Sequence, residues 1–521
     1  MTKSHVFVTR GNLTNFACDA WLLPADQTYS IRSHWRDAVP GLQDHVDRSR
    51  VAGFSTGARL ALALEEWDLA QPLPVLTAVP LLGIRSTEEL VPPIRQFIQV
   101  AAEFSAKRRA DGGGTKRPVP LLAMPLFGTG GGGASRWRGE FLQRLLREAR
   151  LAGAEAGVDV ALVLTSEKDF ALAQELRKRD RQGFWSSLEA SLQDEAADLA
   201  RDARAGKLVP FMGAGVSMSS GAPDWQSLLE GLAGEAQLSE LERDSLAKRD
   251  FLDQASLLRT IYEDRRGEES PSFNELVAEK VHLGRYGLAP ALLASLRTRE
   301  AITLNYDGLF EMASADVGLH RTVIPGGTKE RENWLLKLHG SVQSPESIIL
   351  TRDDYLGFQA SRNALAALVK ATLITHRLLF VGFGLQDDHF HEIAHDVRQA
   401  LPDGQAPEVA TALTLHRDPL DDLAWANRLK LVHMSEGDNS GDAARTLEVF
   451  LDLLAALSTD SHSYLLADGY SEALTPAEKT LREKLRKLHL ALTEEELSTS
   501  GGLRLRQVLG ELGDTEVHRY P

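Results

Sequence analysis

Short apolar runs alternate with stretches of helical periodicity along most of the chain. In the first 170 residues, the apolar runs at 6–9, 20–23, 75–79, 120–125 and 158–164 have the length of buried strands. The stretches around 57–66, 86–105 and 137–153 have helical spacing instead. This alternation is typical of α/β domains with mainly parallel sheets.

A second series of the same kind follows a charged, alanine-rich segment. Residues 170–205 are predicted to form a connecting helix, because charged residues and alanines replace the apolar runs there. Beyond about 460 no strands are predicted, and residues 476–512 have the spacing of one or two amphipathic helices. The predicted strands of the second series are 208–212, 301–304, 335–338, 347–350, 378–382, 411–415 and 429–434.

These changes of pattern divide the chain into four segments. A chain of 521 residues is too long for one hydrophobic core, which also indicates several domains. The expected fold class is α/β, with two successive α/β domains and a carboxy-terminal helical appendage that is a candidate for oligomerisation. The expected segments are a first domain at 1–168, a linker helix at 169–204, a second domain at 205–455 and the appendage at 456–521.

Charge and cysteine content exclude several classes of function. The formal net charge of −15 repels nucleic-acid phosphates over most of the surface. The single cysteine, Cys18, excludes an internal disulfide and any zinc site built on two or more thiolates. There is no apolar signal core, and no uncharged run of the roughly 18 residues that a bilayer requires. We therefore expect a cytoplasmic protein with no nucleic-acid partner, no membrane partner and no zinc.

A glycine turn after the predicted strand 208–212 is the first candidate for binding chemistry. The sequence GAGVS occupies 213–217, and GAPDW occupies 221–225. Glycines let backbone N–H groups approach a pyrophosphate at the edge where such sheets bind nucleotides. The third glycine of the dinucleotide fingerprint is missing. From periodicity alone, a tight strand-to-helix turn is an equally good interpretation.

Three further motifs follow in order: TLNYD at 303–307, KLHGS at 337–341 and FVGFGL at 380–385. With the glycine turn, they resemble the Sir2-like (sirtuin) family over about 205–390. The resemblance implies a Rossmann-like fold in which the glycine turn holds the phosphates of NAD⁺ and the Pro-Asp-aromatic element covers the nicotinamide side. The NAD-binding residues implied are Gly213, Ala214, Gly215, Ser217, Pro223, Asp224, Trp225, Gly382 and Gly384.

The resemblance also implies three catalytic residues, Asn305, Asp307 and His339. Cleavage of the bond between nicotinamide and ribose builds positive charge at the anomeric carbon, so fixed dipoles and a proton acceptor are needed there. An amide such as Asn305 can hold a ribose hydroxyl or a water, and Asp307 can orient the carboxamide or offset the charge. A histidine side chain ordinarily changes its charge near neutral pH, so a histidine at position 339 is a candidate base. Taken singly, each also has a structural interpretation in a turn or a core.

The cysteine count separates two branches of the family. Protein-modifying sirtuins carry a zinc module on four cysteines, and this chain has one cysteine. The Asn-Tyr-Asp and Leu-His-Gly-Ser motifs resemble the bacterial branch whose members hydrolyse NAD⁺, many of them in antiphage defence. The resemblance implies that NAD⁺ is a substrate cleaved to nicotinamide and ADP-ribose, by a protein that forms homo-oligomers. An NAD-dependent protein deacylase and a catalytically silent nucleotide-binding regulator stay open as alternatives.

A second glycine-rich segment lies in the first domain. GTGGGG at 128–133 precedes a predicted helix, where consecutive amides could cradle a phosphate. With GNLT at 11–14, it resembles a macrodomain, an ADP-ribose-binding module, over about 1–168. In that family a carboxylate stands where this chain has Asn12, and the family's Asn-Ala-Asn segment appears here as Pro24-Ala25-Asp26. The resemblance implies a sensor for an ADP-ribose-like nucleotide, with Asn12, Gly128, Thr129, Gly130, Gly131, Gly132 and Gly133 as binding residues.

The pentapeptide HEIAH at 391–395 matches the H-E-x-x-H zinc-protease pattern. It directly follows the second glycine turn, where the Sir2-like resemblance implies a helix, and no third-ligand motif follows it. We therefore expect the match to be a coincidence and expect no metal site.

Overall fold

The computed structural model describes residues 4–64, 66–79, 86–128, 134–326, 332–384, 391, 392, 395, 410–426 and 428–514. The chain folds into two compact units: Met1–Ala190 with Asp452–Pro521, and Ser191–Leu451. Each unit contains a sheet of mainly parallel strands, so the predicted α/β class is confirmed. Across the described residues, no helix combines the length and the apolar character needed to cross a membrane.

The first unit is built on a six-stranded sheet with the order β1-β6-β5-β2-β4-β3. Neighbouring strands are parallel except for the edge strand β3, which is antiparallel to β4. Nearly every strand residue is buried, as expected of a parallel sheet covered on both faces. The strands are β1 (Val6–Arg10), β2 (Ala20–Ala25), β3 (Ala61–Ala63), β4 (Leu73–Ala78), β5 (Leu121–Met124) and β6 (Asp159–Leu164).

Two long helices, Val91–Ala110 and Arg138–Ala156, cover this sheet and supply Phe97 and Phe141 to its core. The carboxy-terminal segment contributes to the same core through Tyr464. The remaining α-helices of this unit are Ser33–Ala38, Leu42–Arg48, Ala52–Ser55, Glu167–Arg179, Arg181–Trp185, Pro476–Ala491, Glu494–Leu497 and Ser500–Glu511, and the 3₁₀ turns are Leu13–Asn15, Thr87–Leu90, Ala134–Trp137 and Ser471–Ala473.

A fully buried carboxylate, Asp452, joins the carboxy-terminal segment to the core of the first unit. It lies on the helix Ser440–Ser458, and its Oδ2 is within hydrogen-bonding distance of His5 Nε2 (2.8 Å) and accepts from Trp185 Nε1 (2.9 Å). The buried guanidinium of Arg177 donates to the same oxygen, and the backbone N–H of Val8 donates to Oδ1 at 3.2 Å. The charge of the carboxylate is thus compensated by a fully buried arginine.

The second unit is built on a seven-stranded, fully parallel sheet with the order β13-β12-β11-β7-β8-β10-β9. The order reverses at β7, because β8 lies on one side of it and β11 on the other. The strands are β7 (Leu208–Met212), β8 (Glu300–Thr303), β9 (Thr322–Ile324), β10 (Trp334–Lys337), β11 (Arg377–Val381), β12 (Ala410–His416) and β13 (Lys430–Ser435).

Helices between β7 and β8 form a second hydrophobic cluster, with Leu232, Leu258 and Val277 buried in it. Many of them begin with a side-chain cap, such as the capping boxes at Ser239 and Ser272. The α-helices of this unit are Ala190–Arg204, Ala214–Met218, Trp225–Glu235, Glu240–Leu246, Phe251–Arg265, Phe273–Val281, Leu288–Ser295, Leu309–Asp316, Arg352–Thr375 and Pro419–Trp425, with a 3₁₀ turn at Pro345–Ser347.

Three predicted elements differ from the structure, and two short strands, β3 and β9, are absent from the prediction. The single connecting helix predicted at 170–205 is three helices, Glu167–Arg179, Arg181–Trp185 and Ala190–Arg204, because the Asp180 side chain caps a new helix by accepting from the N–H of Gly183. The stretch 57–66 contains β3 rather than a helix. Although alanine and leucine favour helices, this segment pairs with β4, and the side-chain oxygen of Gln96 accepts from the N–H groups of Leu60 and Ala61. The stretch 347–350 is not a strand: its first residue ends the 3₁₀ turn Pro345–Ser347, and Ile349 donates its N–H to the carbonyl of His339, at 2.9 Å, in the turn after β10.

Candidate active site

The four motif turns lie at one edge of the seven-stranded sheet. Val381, Met212, Thr303 and Lys337 are paired in register across four adjacent strands, β11, β7, β8 and β10. Since the strands are parallel, the residues that follow this line leave the sheet at the same edge. They include Gly382, Gly213, Asn305 and His339. In open α/β sheets, ligands bind at this edge, where the strand order reverses.

The two glycine turns pack directly against each other. The N–H of Gly213 donates to Val381 O at 3.0 Å, and that of Gly215 donates to Gly382 O at 2.9 Å. A Cβ on Gly213 would lie 2.5 Å from Gly382 O, and Gly382 has a left-handed φ of +62°. Close backbone packing therefore accounts for these three glycines. By contrast, among the residues that the structure describes, none lies within 4 Å of a Cβ placed on Gly384.

Ser217 connects Asn305 and Asp307 to the first glycine turn. Its hydroxyl donates to Asp307 Oδ2 at 2.6 Å and accepts from Asn305 Nδ2 at 3.0 Å. Nδ2 also donates to Gly213 O at 3.0 Å. Because a carbonyl accepts only, this contact fixes which end of the Asn305 amide is the nitrogen. Ser217 thus forms one hydrogen-bonded group at the sheet edge with two residues that lie about 90 positions later in the sequence.

His339 is 3% exposed, and its ring lies among aromatic side chains. The ring centroid is 5.3 Å from that of Tyr355 and 6.3 Å from that of Phe358, both in edge-on geometry. Arg362 donates to the carbonyls of Leu338 and Ser347, on either side of the histidine turn, at 2.5 and 2.6 Å. The turn that carries His339 is therefore held from both sides.

The Pro-Asp-aromatic element contacts the helical cluster of this unit. Asp224 is exposed and caps the helix Trp225–Glu235 by accepting from the N–H of Ser227 at 2.7 Å. Trp225 is stacked near Phe251, with ring centroids 6.5 Å apart. Pro223 is partly buried, and Ala214 is exposed at the start of the short helix Ala214–Met218.

Lys337 belongs to the same edge and is absent from the sequence-based candidates. Its side chain is 1% exposed, and Nζ donates to Tyr306 O at 3.1 Å, to Asp307 O and to Glu311 Oε1 at 2.7 Å. Burial raises the pKa of Glu311, and the Lys337 ammonium acts against that rise. The signal in the sequence is a lysine that ends an otherwise apolar strand, WLLK.

The first unit contains a cleft of about 700 Å³ at the carboxyl ends of its strands. Asn12 lines it, with Oδ1 accepting from both the N–H and the hydroxyl of Thr14 at 3.2 and 2.9 Å. Gly128 also lines it and has a φ of +78°. Thr129, Gly130, Gly131, Gly132 and Gly133 lie outside the described residues.

Aromatic and charged side chains complete this cleft. Trp35 lines it, with its ring 5.4 Å from that of Trp21. Arg138 and Asp169 also line it and form an ion pair, with Nε donating to Oδ1 at 2.7 Å. Asp26 is occupied by its own loop, because its Oδ1 accepts from two backbone N–H groups and a hydroxyl.

Residues 299–433 match the family model of the SIR2-like domain. The segment 299–433 is therefore SIR2-like. The matched segment contains β8 to β12, the first four residues of β13, and the residues Asn305, Asp307 and His339. The glycine turn lies before the match and is joined to the SIR2-like domain by the hydrogen bonds of Gly215 and Asn305 described above.

Curated relatives are similar to part of the chain. Defense-associated sirtuin 2 of Bacillus subtilis is 27% identical over 219 residues, which is 40% of this chain and 21% of that protein. The NAD(+) hydrolase ThsA of Enterococcus faecium is 28% identical over 39% of this chain and 42% of that protein. ThsA of Bacillus cereus is 29% identical over 36% of this chain and 40% of that protein. The chain thus spans between a fifth and under half of the length of these relatives.

Among solved structures, an Oceanobacillus iheyensis macrodomain with ADP matches 35% of this chain and 94% of its own chain. Its sequence identity is 14% and its TM-score is 0.27.

No group of three or more His, Cys, Asp or Glu side chains suited to a metal ion occurs within the described residues. His391, Glu392 and His395 of the H-E-x-x-H match are helical. The ring centroid of His391 lies 4.9 Å from that of Trp425. Residues 393 and 394 lie outside the described residues.

Proposed function

We propose that this protein is an NAD⁺ glycohydrolase that cleaves NAD⁺ to nicotinamide and ADP-ribose. The observation that carries the proposal is the group formed by Ser217, Asn305 and Asp307 at the edge where the strand order reverses. That group combines a carboxylate, an amide and a glycine turn, which are the parts needed to hold a nucleotide and stabilise positive charge. The similarity to proteins named NAD(+) hydrolase supports the same chemistry.

We assign the roles of the site residues as follows. The Nδ2 atom of Asn305 is held by Gly213 O and Ser217 Oγ, so Oδ1 is the end that accepts from a ribose hydroxyl or the attacking water. Asp307 supplies negative charge near the anomeric carbon as the nicotinamide leaves. His339 accepts the proton of the water. Because its ring is 3% exposed, the turn that carries it has to move before the ring reaches the substrate.

We also propose that the cleft of the first unit binds an ADP-ribose-like nucleotide that activates hydrolysis. A volume of about 700 Å³ is in the usual range for small-molecule sites, and aromatic, amide and guanidinium groups line the cleft. The buried His339 supports a resting state that needs activation. A homo-oligomeric effector that depletes cellular NAD⁺ during phage infection is the biological role we propose, in line with the relative named a defense-associated sirtuin.

The test follows nicotinamide release from NAD⁺ by the full chain, without peptide, in the presence and absence of ADP-ribose and its cyclic forms. We expect release by the wild type and at least about a 10²-fold loss in Asn305→Ala and His339→Ala. Asn274→Ala is the matched control, because Asn274 also donates to a backbone carbonyl in the same unit, that of Pro345 at 3.0 Å. If Asn305→Ala retains wild-type turnover, the assigned site is wrong.

The same assay tests the activator and the deacylase alternative. We expect Asn12→Ala to weaken activation by the nucleotide without changing turnover of the activated enzyme, because Asn12 lines the cleft of the first unit. Nicotinamide release that depends on an acylated peptide would instead support a protein deacylase.

The burial of His339 favours one second candidate, a nucleotide-binding regulator without catalysis. For such a protein, NAD⁺ binds in calorimetry, but nicotinamide release stays at background with every nucleotide tested. His339→Ala then leaves that background unchanged.

A further inference from the structure

Lys337 links the end of β10 to the turn that carries Asn305 and Asp307. We propose that Lys337 is a positioning residue that acts through this turn, and its kinetic readout rests on the proposed NAD⁺ cleavage. An ammonium group has three N–H donors. Here they go to the carbonyls of Tyr306 and Asp307 and to Glu311 Oε1. The donors of Lys337 are thus used inside the protein.

The two carbonyls lie on either side of the Asp307 Cα, in the turn that also carries Asn305. Holding them fixes the orientation of the turn, so that Asn305 faces Gly213 and Ser217, and Asp307 meets Ser217 at 2.6 Å. The contacts therefore run from Lys337 on β10, through the turn after β8, to the helix after β7. One buried cation connects three of the four motif turns.

The surroundings of Lys337 hold its ammonium group in one position. Its side chain is 1% exposed, and Glu311 on the helix Leu309–Asp316 provides the opposite charge at 2.7 Å. Asp307 is the other carboxylate of this turn, and it interacts with Glu311 unfavourably. Lys337 lowers that repulsion by lying next to both residues.

Arg321 offers a matched comparison at the opposite end of the same strands. Its guanidinium donates to the carbonyls of Thr298, Arg299 and Trp334, at 2.7, 3.2 and 3.3 Å, where β8 and β10 begin. Burial lowers the pKa of Arg321 to about 10. Both cations hold backbone carbonyls, but Arg321 lies at the amino ends of the strands and Lys337 lies at the edge with the motif turns.

The experiment compares the double variant Glu311→Met with Lys337→Met against Arg321→Met, in the full chain. Replacing both members of the ion pair leaves no unpaired buried charge, but it also takes the donor from the carbonyls of Tyr306 and Asp307. We therefore expect a lower unfolding midpoint and compare kcat per folded molecule. We expect kcat for nicotinamide release to fall on the order of 10²-fold, with KM changed less than about threefold. Amide hydrogen exchange in residues 304–310 is expected to become about tenfold faster.

Arg321→Met is expected to lower the unfolding midpoint and to leave kcat per folded molecule unchanged. The proposal is overturned if the double variant keeps both wild-type kcat and wild-type exchange at 304–310. If the wild type releases no nicotinamide with any nucleotide, the proposed function fails. The exchange comparison then still decides whether Lys337 holds the turn, since unchanged exchange overturns that role and faster exchange supports it.

Discussion

Replacing Ser217 by alanine removes the one hydroxyl that joins Asn305 and Asp307. Ser217 is 3% exposed, so solvent cannot readily take the place of the lost oxygen. After the change, Asn305 Nδ2 keeps its bond to Gly213 O, and Asp307 keeps its bond from the N–H of Leu309 through Oδ1. Each site residue therefore keeps one anchor and loses the contact that relates it to the other.

The magnitude follows from the two bonds that are lost. The bond to the Asp307 carboxylate, at 2.6 Å, belongs to the charged class, which contributes about 1.5–3 kcal/mol. The bond from Asn305, at 3.0 Å, belongs to the neutral class, at about 0.5–1.5 kcal/mol. If about 2–4 kcal/mol of the free energy of these two bonds stabilises the transition state, kcat falls by roughly 30- to 10³-fold.

The assay measures nicotinamide release by Ser217→Ala and by the control Ser219→Ala, with chemical denaturation of both. Ser219 lies just after the same short helix, and its hydroxyl donates only to Val216 O, at 3.3 Å, in the contacts described for it. We expect the control to keep wild-type kcat. The reasoning is refuted if Ser217→Ala, corrected for its folded fraction, stays within about threefold of the wild-type kcat.

Three further predictions concern stability. Gly382→Ala is expected to lower the free energy of unfolding by more than about 1 kcal/mol, because φ is +62° and a Cβ would lie 2.3 Å from Val216 N. An unchanged denaturation midpoint would contradict this prediction. Asp452→Asn leaves the guanidinium of Arg177 buried without its counter-charge, so we expect the free energy of unfolding in denaturant to fall by about 3–5 kcal/mol. A decrease below about 1 kcal/mol would count against that pairing. Burial disfavours the charged form of Asp452, but Arg177 and His5 outweigh it and hold its pKa below the ordinary value. The carboxylate therefore stabilises the protein above the unfolded pKa of about 3.9, and this stabilisation is lost as the pH falls through the lower folded pKa. In acid titrations of the free energy of unfolding, Asp452→Asn should lack the part of the decrease that comes from this carboxylate.

Much of the site edge could be predicted from the sequence because it follows from chain order. Each of the motifs begins at or after a recognisable apolar strand, and parallel strands bring their carboxyl ends to one edge. Which side chains meet at this edge does not follow from chain order alone. That Ser217 meets Asp307 depends on β7 and β8 being adjacent in the sheet, although 90 residues separate the two side chains.

Other features depend on tertiary contacts that local patterns do not contain. The stretch around β3 has the composition of a helix, and its pairing with β4 and its bonds to Gln96 decide the outcome. A buried lysine such as Lys337 looks from the sequence like an ordinary strand end. The buried state of His339 depends on Tyr355 and Phe358, which lie on a helix that comes after it in the chain.

The two-part composition of the first unit has a consequence for synthesis on the ribosome. Its core needs Tyr464 and Tyr470, and its buried arginine needs Asp452, so residues 1–190 alone lack part of their own interior. The second unit is one continuous stretch that ends at Leu451. In each newly made molecule, the second unit can therefore complete its fold before the amino-terminal unit can close around the segment that begins at Asp452, because that segment is translated after the second unit.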